Sequence, residues 1–144
     1  MNLARALSEK NRLARTVREI QHRIEAHNSF LSGNTPAYDT EVLLAELMTT
    51  IAALTELKVR IHTANREVQE QIFRLAELKS LASFLRQLPI KEGKVLQESW
   101  RATEVNEWQA QLSTVARDAL LATTETEIDA LQTALNRHNF LTEV

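Results

Sequence analysis

The sequence predicts an all-α protein: an elongated antiparallel three-helix bundle with a coiled-coil-like hairpin and a kinked or split last helix. Three observations carry that expectation. Only two Gly and two Pro occur in 144 residues, too few to punctuate many short strands and tight turns. Apolar residues return at alternating steps of three and four over most of the chain. Residues 40–88 contain neither Gly nor Pro, and as a single helix they would extend about 73 Å at 1.5 Å per residue.

The first helix is expected over 2–31. Leu3, Ala6, Lys10, Leu13, Val17, Ile20, Ile24, His27 and Leu31 form a heptad seam with Asn2 as its N-cap. Ser32, Gly33, Asn34 and Pro36 then stop it, because they tolerate left-handed backbone or remove an amide donor.

Asp39 or Thr40 opens the second helix, expected over 40–88, and Glu41 suits the positive end of its dipole. Its seam runs through Leu44, Leu47, Ile51, Leu54, Lys58, Ile61, Asn65, Val68, Ile72 and Leu75, with Leu43, Met48, Leu57 and Leu78 widening it. A stripe of that width faces more than one neighbour. Beyond Leu75 the phase slips to Leu78, Leu81, Leu85 and Leu88, with Phe84 alongside.

Pro89 and the PIKEGK run begin an irregular connection expected over 89–104, in which VLQESWRATEV reads as a loop with a short extended piece as easily as a helix, and Trp100 and Trp108 act as anchors. The third helix is expected over 105–140, where Thr124 and Glu127 have capping-box spacing. Short turns between long helices give an up-down-up order in one domain, 1–144. Folding about the turn centres sets Asn28 and Asn139 near Leu43, and Arg5, Arg117 and Asp118 near Asn65. The first helix is too short to cover the whole second one, so Ile72, Leu75, Leu78, Leu81, Phe84 and Leu85 are expected as an oligomer surface.

The composition excludes several chemistries. With no Cys there is no disulfide, thiolate metal site or cysteine nucleophile. The two Gly are isolated at 33 and 93, so no phosphate-cradling loop is formed, and no Ser has a G-x-S-x-G or S-x-x-K context. No catalytic residue, cofactor or metal is therefore expected, and the chain reads as non-enzymatic. His22 and His27 are five apart and share no helical face, whereas His27 and His138 fall at one level in the bundle arithmetic and are the single candidate pair for a shared site. Asn28, Lys58, Asn65 and Asn139 read as structural polar positions, of the kind that fixes helix register.

Net charge is −2 but uneven. Residues 1–31 carry six basic against three acidic residues, and 98–144 carry eight acidic against three basic. Acidic residues interrupt the basic run and no aromatic is interleaved for stacking, so a nucleic-acid partner is not expected. The first helix lacks the continuous apolar core of a secretory signal, and no run reaches the length of a membrane span, which makes cytoplasmic the expected location.

NLARALSEKNRL, RIEAHN, SGNTPAYD, LLAELM, RIHTAN, RLAELKSL and the closing IDALQTALNRHNFLTEV together resemble the septicolysin-like family of small bacterial helical proteins. The resemblance singles out Asn28, Asn65, Gln132, Asn139 and Thr142. The sequence departs from the family pattern at His62, at Phe140 and at the ELK of 77–79. A cytolysin-like, membrane-active protein is what the family name implies. The residues themselves favour a structural or protein-interaction module, a homo-oligomer with a possible further protein partner.

Overall fold

The computed structural model describes residues 1–98 and 103–144. They are mostly helical, with one two-stranded antiparallel sheet, and fall into two compact units. The first comprises Met1–Gln69 with Asn136–Val144, and the second Glu70–Leu135.

The first unit is built on an antiparallel pair, α1 (Leu3–His27) and α2 (Thr40–Ala64). Asn2 caps α1 as expected, and of the two candidates Asp39 and Thr40 it is Asp39 that caps α2. Asn2 Oδ1 accepts the Arg5 amide at 3.0 Å, and Asp39 Oδ1 accepts the Glu41 amide at 2.9 Å. Gly33 takes φ +87° in the connecting loop, a left-handed conformation that a Cβ disfavours.

The helices meet at Leu3, Ala6, Leu57 and Ile61, with Leu7, Leu13, Ala64 and Val144 against them. Ile20 and Leu43 are buried towards the loop. Residues 142–144 lie beside residues 1–3: the Leu3 amide donates to the Thr142 carbonyl at 2.8 Å, and the Val144 amide to the Met1 carbonyl at 2.9 Å.

The continuous helix expected over 40–88 is interrupted. α2 ends at Asn65, whose backbone (φ −87°, ψ −2°) leaves helical geometry, and a 3-10 turn at Arg66–Val68 precedes α3 (Gln69–Gln87). Asn is a poor interior helix residue because its side chain competes for nearby backbone groups.

In the second unit the connection expected to be irregular contains a hairpin, β1 (Gly93–Glu98) and β2 (Thr103–Trp108), in register Gly93 with Trp108 and Leu96 with Val105. Trp100 lies outside the described residues. The last helix, α4 (Thr114–Leu141), starts nine residues later than the 105 expected. Ser113 Oγ accepts the Ala116 amide at 3.1 Å, and the Glu92 carboxylate accepts the Thr114 amide at 3.3 Å. The expected cap at Thr124 is corrected: Thr124 is buried in mid-helix, and its hydroxyl donates to the Leu120 carbonyl at 2.8 Å.

α3 and α4 run antiparallel, tied by Arg74 to Glu127, Lys79 to Gln132, Arg86 to Glu125, and the Arg117 guanidinium to the Leu85 carbonyl. The turn between them is centred inside the hairpin and not at Pro89, which shifts every level assigned to the last helix.

Candidate functional site

The inward face of α2 is set by residues at alternating steps of four and three. Leu43, Leu47, Thr50, Leu54, Leu57, Ile61 and Ala64 are buried or half-buried. The sequence-derived seam shared Leu47, Leu54 and Ile61 with this face but placed Leu44, Ile51 and Lys58 inside as well. Those three are exposed. The helix is rotated by half a position, about 50°, relative to that seam, and the charge on Lys58 supplies the reason, since an ammonium at an interior position has no compensating partner there.

The rotation leaves a second heptad outside. Leu44, Met48, Ile51 and Val59 are 45, 69, 41 and 61% exposed, with Thr55 completing the line. Ala45 and Ala52 lie exposed along one edge of it. The hydroxyls of Thr55 and Thr63 donate to the carbonyls of Ile51 and Val59, which satisfies them within the helix. The face is therefore apolar in effect, and within the first unit none of the described residues packs over it.

The oligomer surface expected on α3 is altered. Leu75, Leu78 and Leu85 are buried inside the second unit, Ile72 is half-buried, and Leu81 and Phe84 are exposed. Phe73, which sequence reasoning passed over, is exposed on the same helix. The stripe at 75, 78, 82 and 85 is filled from within the chain, so α3 offers less apolar surface than its composition suggests.

Polar positions divide in the same way. Asn28 is the exposed C-cap of α1, and its amide donates to the Ile24 carbonyl at 2.8 Å. Asn65 is the C-cap of α2, and its Oδ1 is buried without a hydrogen-bond partner among the described residues. Lys58 is exposed and Asn139 half-buried.

The structure does not bring His27 and His138 together. His27 tilts against Tyr38 with ring centroids 4.9 Å apart, at the loop end of the first unit. His138 stands at the opposite end, with Nε2 3.2 Å from the Ala64 carbonyl and Nδ1 3.2 Å from Thr142 Oγ1. A carbonyl only accepts, so Nε2 carries the proton and Nδ1 accepts from the Thr142 hydroxyl. The ring thus satisfies one of the carbonyls left over at the end of α2. Among the described residues no group of three or more His, Asp or Glu side chains has metal-site geometry.

Charged contacts are superficial. Arg74 holds the Glu127 carboxyl below the usual carboxylate range by hydrogen bonding, and Arg12 does the same to Glu9. A cleft of the first unit is lined by Arg5, Arg12, Arg15 and Phe140, with Glu9 among the arginines. No described helix is long and apolar enough to cross a membrane.

Residues 10–144 match the model of DUF6847, a family of unknown function. No curated protein and no solved structure matches the chain.

Proposed function

The chain belongs to the DUF6847 family of unknown function, and from that premise we propose that it is a non-enzymatic structural or protein-interaction module of the cytoplasm that self-associates through its long helices. The observation that carries this reading is the second heptad of α2, exposed along the helix while the first heptad is already buried against α1. An apolar face of regular spacing on a folded helix is what partner helices use.

Sedimentation equilibrium between micromolar and hundreds of micromolar protein tests it: a mass that rises to a fixed multiple of the monomer is expected, and a monomer throughout would remove self-association. The septicolysin-like resemblance carries the alternative, a membrane-damaging protein. Dye release from anionic and neutral vesicles separates the two, because a module that only binds protein leaves both kinds intact.

A further inference from the structure

We propose that two copies of the chain join through α2 as an antiparallel, two-fold pair centred between Ile51 and Ala52. This rests on the reading that the protein self-associates, and adds which surface meets which and in what direction.

In such a pair, positions whose numbers sum to 103 stand opposite each other. Leu44 meets Val59 of the other copy and Met48 meets Thr55, so large apolar side chains interleave with smaller ones on both halves of the axis. The line from 44 to 59 covers about 22 Å, four turns of contact. Ala45 and Ala52, seven residues apart on the edge of the stripe, keep that edge low and let the two backbones approach.

Charge selects the direction. The stripe carries Glu41 at its start and Lys58 and His62 towards its end, all exposed. Neither Glu41 nor Lys58 has an ion-pair partner among the described residues. Antiparallel pairing sets each Glu41 opposite His62 and within one turn of Lys58 of the other copy, twice by symmetry. Parallel pairing would set Glu41 against Glu41 and Lys58 against Lys58, and like charges at such positions disfavour association. The helix dipoles also favour the antiparallel arrangement.

The chain's lack of cysteine makes the orientation directly measurable. Ala52→Cys under mild oxidation is expected to give a disulfide-linked dimer, because Ala52 adjoins the axis and its two copies are offset by a single residue, about 1.5 Å. Leu44→Cys is expected to give none, since its counterpart lies about 22 Å away along the pair. Met48→Glu is expected to yield a folded monomer with unchanged helix content, as the side chain touches no core. Lys58→Glu should weaken dimerisation by about tenfold or more, and combining it with Glu41→Lys should restore it.

A wild-type monomer overturns this pairing and the self-association reading together. A dimer indifferent to Met48→Glu overturns the pairing alone and leaves self-association standing. A Leu44→Cys cross-link overturns the antiparallel direction.

Discussion

Asn65 shows how one side chain can shape a fold without stabilising it. Its Oδ1 is buried and has no hydrogen-bond partner among the described residues, and its backbone ends α2. Burying an amide oxygen without a partner costs about 1–3 kcal/mol, so Asn65→Ala is expected to be neutral or to raise stability by about 1 kcal/mol, measured by urea denaturation. Were Asn65 a register lock of the kind its seam position suggested, the same change would be destabilising. His138 is the opposite case, because both ring nitrogens have partners. His138→Ala should cost about 1–3 kcal/mol by leaving the Ala64 carbonyl unsatisfied. The Arg74–Glu127 pair is exposed, and Arg74→Gln should change stability little. Its sign with pH is still defined. Arg74 lowers the Glu127 carboxyl in the folded state, so the small stabilisation is present above the ordinary glutamate value, about 4.3, and disappears as pH falls through the lowered folded value. An acid titration of wild type against Arg74→Gln should show the two converging at low pH.

At the scale of elements, what the sequence made legible followed from strong local chemistry. Asn2 and Asp39 cap as their residue types require, whereas α1 ends at His27 with Asn28 as its C-cap, short of the stop expected at 32–36, and Gly33 with its positive φ lies in the loop beyond. The break at Asn65 was hidden because no Gly or Pro marks it and the apolar spacing continues across it. The hairpin was only half visible. Its strands are six residues each, and two strands alone give a weak period signal. Without the hairpin the last turn falls in the PIKEGK run, which sets His138 beside His27 and not at Ala64. Gly93 opens the hairpin at φ +78° with open space around its Cα. Gly93→Ala is therefore expected to cost about 1 kcal/mol from backbone conformation alone, without a steric clash. Thermal unfolding should show that loss with no change in helix content.

For the molecule as a whole, the two heptads of α2 make separable contributions, and concentration distinguishes them. Leu57 is 6% exposed within the core of the first unit, and Leu57→Ala is expected to cost about 2–5 kcal/mol at every protein concentration, because the cavity lies inside one chain. Met48 contributes only when another copy covers it. A partner that binds the folded state stabilises it by mass action, so a dimer gains about 1.4 kcal/mol, or about 0.7 per chain, for each tenfold rise in concentration. For a chain of this length that corresponds to an increase of about 2–3 °C in Tm per decade. Wild type is expected to show this slope, Met48→Glu to lose it while matching wild type at high dilution, and Leu57→Ala to keep the slope on a lower baseline. Identical slopes for wild type and Met48→Glu would mean that the exposed heptad takes no part in association, whatever the oligomeric state.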